Sequence, residues 1–70
     1  MAKQKLLADI TANPPRFYRL AGDVIRDRRF TDAERLDILR AWRTGADAAV
    51  APQIEIAIEE LQSRAARAAE

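Results

Sequence analysis

The chain has 70 residues, a length that fits one small domain with a thin core, because short chains bury a smaller fraction of their surface. It contains no histidine and no cysteine, which removes disulfides, thiolate and imidazole chemistry and nearly all zinc sites. We therefore expect neither an enzyme nor a bound metal or cofactor, and the formal net charge of +1 is too small to indicate a polyanionic partner by itself.

The first ten residues lack the apolar core of a secretory signal peptide. Two lysines precede only three apolar residues before Asp9 interrupts, whereas a signal-peptide core has about 7 to 15 apolar residues. No apolar run elsewhere approaches the length that spans a bilayer. The sequence therefore predicts a cytoplasmic protein without a membrane span.

A short first helix is predicted over residues 3–11. Leu6, Leu7 and Ile10 recur there at helical spacing. The prolines at positions 14 and 15 end this helix, because proline lacks the amide hydrogen that a helix interior needs.

Residues 14–27 are compatible with two local structures. In the first, a helix starts at the prolines after an Asn cap and places three apolar side chains on one face, namely Phe17, Leu20 and Val24. In the second, a turn precedes a shorter helix that begins near Leu20 or Ala21. Gly22 favours the second structure, because glycine in a helix interior costs about 1 kcal/mol relative to alanine.

The clearest helix start lies at Thr31, where Thr31 and Glu34 form a capping box. In such a box the threonine hydroxyl accepts from the glutamate amide, and the glutamate side chain accepts from the threonine amide. We expect one helix from residue 32 to about residue 50, ended by Pro52, although Gly45 offers an earlier end. Its apolar face consists of Leu36, Ile38, Leu39, Trp42, Ala46, Ala49 and Val50.

Pro52 then opens the last helix, over residues 53–68, whose apolar residues recur with spacings of 4, 3, 4 and 3. This seam consists of Ile54, Ile58, Leu61, Ala65 and Ala68. Such a seam fits antiparallel helix packing. The sequence therefore predicts an all-α fold, a small helical bundle of three to four helices in one domain over residues 1–70. Short helices and a turn occupy residues 1–30, and an antiparallel helical hairpin occupies residues 31–69.

Apolar residues make up 49% of this short chain, and a small domain often gains stability by self-association. We therefore expect a protein–protein interaction or assembly module, either a homodimer or a subunit bound to another protein. Ile56 lies roughly 160° around the helix from Ile54 and Ile58, which makes it an ordinary exposed residue or a second contact face. Trp42 suits either a core position or a binding contact. The candidate protein-binding residues are Trp42, Ile54, Ile56, Ile58 and Leu61.

Charge is distributed unevenly along the chain. Residues 1–43 carry ten basic and six acidic groups, whereas residues 44–63 carry four acidic groups and no basic one. The two segments either pair through complementary helix rims or expose a binding patch. Arginine with nearby aromatic residues suits phosphate contacts and base stacking. Weak nucleic-acid binding is therefore the alternative function, through Arg16, Arg19, Arg26, Arg28 and Arg29.

Glu55, Glu59 and Glu60 place three carboxylates close together on the last helix. Without a histidine or a second acidic helix to complete a site, we interpret them as solvated charges or as partners of the basic segment. The sequence also contains no glycine-rich phosphate loop and no nucleophile motif.

The stretch from Asp27 to Trp42 reads DRRFTDAERLDILRAW. It resembles the pattern D-x-x-L/F-S/T-x-x-E-K/R-x-x-I-L-x-x-W of a group of small proteobacterial helical proteins, and the match covers 16 of the 70 residues. The capping box, the Ile-Leu pair and the tryptophan fall at matching spacing. No activity is assigned to that group, so the resemblance implies a bacterial protein with a helical fold and no particular function.

Overall fold

Four α-helices and one short 3-10 helix follow one another in a computed structural model, which describes residues 2–69 and the side chains of residues 3–64. The elements are α1 (Ala2–Ala12), a 3-10 helix (Pro14–Arg16), α2 (Ala21–Ile25), α3 (Asp32–Gly45) and α4 (Ala51–Ala69). Residues 2–69 contain no strand. The predicted all-α fold, a small helical bundle, is confirmed.

Helix α3 lies at the centre of the molecule, because the other three α-helices and the 3-10 helix all pack against it. The molecule measures 35 × 34 × 16 Å. A helix with its side chains is about 10 to 12 Å across, so the shortest dimension leaves room for a single layer of core side chains. The largest fully buried side chains are Ile10, Val24, Ile38, Leu39, Ile54 and Leu61.

Ion pairs at both ends of the α3–α4 pair show that the two helices run antiparallel. Arg43 near the end of α3 lies 2.5 Å from Glu55 near the start of α4. At the other end, Arg64 of α4 lies 3.6 Å from Asp32 at the start of α3. These charges are partly exposed, so each pair contributes little to stability, about 0 to 1 kcal/mol. They do confirm the predicted hairpin.

The predicted end of α3 near residue 50 is wrong, because α3 ends at Gly45. The carboxylate of Asp47 accepts hydrogen bonds from the amides of Ala49 and Val50, both at 3.0 Å. Asp47 therefore caps a new turn that leads into α4, and it separates the two helices. Pro52 lies in the first turn of α4, where a missing amide hydrogen is tolerated.

Residues 14–27 form a turn and a shorter helix, which is the second of the two predicted structures. The shared apolar face expected for the first structure does not form. Phe17 and Leu20 are 41% and 56% exposed, whereas Val24 is buried. The 3-10 turn and the extended backbone at Leu20 break the helical register, so Tyr18 enters the core instead of Phe17.

The capping box at the start of α3 is confirmed. The Thr31 hydroxyl accepts from the Glu34 amide at 3.2 Å, and a Glu34 carboxylate oxygen accepts from the Thr31 amide at 2.8 Å. Lys3 of α1 reaches the same carboxylate at 3.0 Å. The hydrogen bond from the Thr31 amide, with that from Lys3, holds the pKa of Glu34 below its usual value.

We expect Thr31→Ala to lower the free energy of unfolding by about 0.5 to 2 kcal/mol, because the Glu34 amide would lose its acceptor. Urea denaturation followed by circular dichroism measures the change. Thr44→Ala is the matched control, since Thr44 is exposed near the other end of α3 and its hydroxyl bonds only to the Arg40 carbonyl. The cap assignment would be contradicted by equal losses in the two variants.

Candidate protein-interaction surface

Four of the five residues predicted to contact a partner lie in the core of the chain itself. Ile54 and Leu61 are fully buried, and Trp42 and Ile58 are 6% and 8% exposed. Their side chains belong to one core cluster and offer little surface in the single chain, so their role as partner contacts stays a prediction. Ala65 and Ala68 of the predicted seam lie outside the described side chains.

Ile56 is the exception, and at 65% exposure it is the most exposed large apolar side chain among the described residues. It stands at the edge of a groove between α2 and α4, with a volume of about 260 Å³. This α2/α4 groove is lined by Gly22, Ile25, Arg26, Gln53, Ile56, Ala57 and Glu60. The sequence projection that placed Ile56 opposite Ile54 and Ile58 is therefore confirmed.

The absence of a side chain at Gly22 leaves open space on the α2 side of the groove. A Cβ atom there would meet only the Nη2 atom of Arg26, at 3.7 Å, which is ordinary van der Waals contact. The backbone of Gly22 does not have a positive φ, so its conformation is open to other residues. Glycine here provides room beneath the Arg26 side chain.

Opposite charges line the two sides of the groove. Arg26 lies at the end of α2 and Glu60 lies on α4. Within the side chains that the structure describes, neither residue makes an ion pair. The groove therefore combines an exposed apolar side chain with a cation and an anion on opposite sides.

Trp42 borders a second, open groove of about 420 Å³ near the end of α3. Pro15 and Tyr18 lie on one side of this groove, and Asp47 and Val50 lie on the other. The tryptophan is only 6% exposed, so it offers little surface to this groove. It serves as a core anchor between the 3-10 helix and α3.

The five arginines of the predicted nucleic-acid site are exposed, but they border different parts of the surface. Arg16 lies beside Asp9 and Phe17 in a groove next to α1, whereas Arg19 borders the Trp42 groove and Arg26 borders the α2/α4 groove. Arg29 pairs with Asp27 at 2.7 Å, and Arg28 lies in the same loop. The structure thus places Arg16, Arg19 and Arg26 at three different grooves, and nucleic-acid binding stays a prediction.

A hydrogen-bond network that sequence analysis missed holds the loop between α2 and α3. The Tyr18 hydroxyl donates to the Asp27 carboxylate at 2.6 Å, and the backbone amide and side chain of Arg29 donate to the same carboxylate. Arg35 donates twice to the Asp27 carbonyl oxygen, at 2.9 and 2.6 Å. We call these four residues the Asp27 clasp.

The clasp shifts the pKa values of three of its members, and the hydrogen bond to Asp27 raises that of Arg29. Burial raises the pKa of Tyr18 to about 12, and the hydrogen bond and negative charge of Asp27 act in the same direction. The hydrogen bonds from Arg29 hold the pKa of Asp27 well below its usual range, against the effect of burial. Both shifts favour a neutral tyrosine bonded to a charged carboxylate, which makes the clasp a structural device. The only signal of the clasp in the sequence is the position of Tyr18, one residue after Phe17 of the expected apolar face.

Among the described side chains no group of three or more carboxylates is placed to hold a metal ion. Glu55 instead meets Arg43 across the hairpin, while Glu59 and Glu60 are exposed. None of the helices over residues 2–69 combines the length and the apolar character needed to cross a bilayer. Comparison with protein-family models, curated proteins and solved structures finds no significant match.

Proposed function

We propose that this chain is a non-enzymatic protein–protein interaction or assembly module and that the α2/α4 groove is its contact surface. The observation that supports this function is the 65% exposure of Ile56 beside a groove whose opposite charges form no ion pair among the described side chains. Protein interfaces typically place an apolar anchor at the centre and polar groups around it. Ile56, Arg26 and Glu60 match that arrangement.

The position of Ile56 is also well defined, which favours specific binding. Its neighbours Ile54, Ala57 and Ile58 are buried in the core, so this part of α4 is fixed against the rest of the molecule. A rigid anchor loses little conformational entropy when a partner binds. An exposed isoleucine on a fixed helix therefore suits binding better than the same residue in a loop.

We expect Ile56→Asp to abolish partner binding while the chain stays folded, because the change removes the apolar anchor from an exposed position. The wild-type chain and the variant would each be immobilised and incubated with a lysate of the source organism. Tagged wild-type chain would be added to the lysate, so that self-association is also detected. Retained proteins would be identified by mass spectrometry. At least one protein, either the tagged chain or another, should be retained by the wild type and lost with the variant.

Phe17→Asp is the matched control. Phe17 is also a partly exposed large apolar residue, the substitution changes the charge equally, and Phe17 lies in the groove beside α1 rather than the α2/α4 groove. This control should retain the same proteins as the wild type. If Ile56→Asp and the wild type retain the same proteins, the α2/α4 groove is not the contact surface.

A further inference from the structure

We infer that the α2/α4 groove is a two-fold interface between two copies of this chain, in which Arg26 of each copy pairs with Glu60 of the other. The inference rests on the proposed function and names the partner as a second copy. Its basis is the charge pattern of the groove, since a surface that carries a cation and an anion on opposite sides is complementary to itself.

The symmetry of the groove determines which residues meet. A rotation of 180° about an axis along the groove keeps the position of each residue along that axis and exchanges the two sides. Helix α4 of one copy then faces α2 of the other. Arg26 at the end of α2 therefore faces the helix that carries Glu60 in the second copy, and the symmetry repeats the same contact on the other side.

The same rotation places the apolar parts of the two copies together. Ile56 on α4 faces the α2 side of the second copy, where Gly22 leaves room and Ile25 offers a half-buried apolar surface. Each copy thus inserts one isoleucine into the other. The dimer therefore buries two Ile56 side chains, one from each copy, and removes their apolar surface from water.

The shape of the chain also favours a second copy. With a thickness of 16 Å, the monomer has one layer of core side chains, and α4 is covered on only part of its circumference. Pairing through the α2/α4 groove places a second layer on the uncovered face. Small domains commonly gain stability in this way.

The test uses charge reversal in trans. We expect Arg26→Glu and Glu60→Arg each to weaken self-association by about tenfold at low ionic strength, because each variant places two like-charged pairs in the dimer. An equimolar mixture of the two variants should associate about as tightly as the wild type, since both cross pairs are then Glu with Arg. Sedimentation velocity of the single variants and of the mixture measures this.

Two controls match the charge changes at exposed positions outside the groove. Arg28→Glu carries the same charge change as Arg26→Glu, and Asp37→Arg the same change as Glu60→Arg. Both controls should associate like the wild type. Recovery in the mixture supports the two-fold pairing, because a contact between Arg26 and Glu60 within one chain cannot be restored in trans.

Two results would overturn the inference. In the first, the mixture associates no better than the single variants, while Ile56→Asp still abolishes self-association of the otherwise wild-type chain. The α2/α4 groove would then be the contact surface, but the pairing of Arg26 with Glu60 would be wrong. The second is a wild-type chain that stays monomeric up to millimolar concentration, which removes the second copy as partner. The proposed function has a different test, the capture experiment, and it is wrong if the wild type and Ile56→Asp retain the same proteins.

Discussion

Replacing Leu39 by alanine is expected to lower the free energy of unfolding by about 3 to 5 kcal/mol. Leu39 is fully buried on α3, the helix against which all other helices pack. The thin core cannot collapse around the lost volume without moving several helices. A domain of this length has a total stability of roughly 4 to 10 kcal/mol, so the loss takes a large share of it.

Urea denaturation measures this loss, and Trp42 is a suitable probe because it is the only tryptophan and lies in the same core. Arg40→Ala provides the control, since Arg40 follows Leu39 on α3 and is exposed. The control should stay within about 0.5 kcal/mol of the wild type. A loss below about 1 kcal/mol for Leu39→Ala would contradict the central position of α3.

Local signals in the sequence were sufficient to predict two of the helix boundaries. The capping box at Thr31 predicted the start of α3, and the prolines at positions 14 and 15 predicted the end of α1. These signals work because each depends on the chemistry of a few neighbouring residues. They are independent of how the helices pack.

The end of α3 was predicted wrongly because apolar periodicity cannot distinguish one long helix from two that meet at a turn. Ala46 and Val50 pack against the core in the actual turn, as they would have done in a continuous helix. The signal that distinguishes the two cases is Asp47, whose side chain caps the next turn. Asp47, which follows Gly45 by two residues, therefore indicates the end of α3 better than the apolar pattern that continues past it.

The candidate surface could be predicted only in part. The exposure of Ile56 follows from its angle on α4, which is a local property. The groove beside it depends on where α2 packs, and no local pattern determines that position. Arg26 was therefore assigned to a basic cluster and Glu60 to a group of solvated acids, although the fold brings both to one groove.

Asp27→Ala is expected to lower the free energy of unfolding by about 2 to 3 kcal/mol. The substitution leaves the hydroxyl of Tyr18 without its acceptor, and Tyr18 is a buried residue. It also removes the acceptor of the Arg29 amide and side chain. A buried donor without a partner destabilises a protein more than the hydrogen bond itself had stabilised it.

The acid side of the stability profile tests the same carboxylate. Because the folded-state pKa of Asp27 lies below its unfolded value, its contribution is present above the unfolded value near pH 4. That contribution disappears as the pH falls through the lower, folded-state pKa. Between about pH 4 and pH 2 the stability of the wild type should therefore fall more steeply than that of Asp27→Asn.

A double-substitution cycle separates the Tyr18 bond from general damage to the loop. Tyr18→Phe removes the donor, so adding it to Asp27→Ala should cause a much smaller loss than Tyr18→Phe causes alone. A coupling of about 1 kcal/mol is expected, because either single change breaks the same part-buried hydrogen bond. Additive losses would show that Asp27 acts through Arg29 and the backbone only. Coupled losses would show that the hydrogen bond between Tyr18 and Asp27 itself stabilises the loop between α2 and α3.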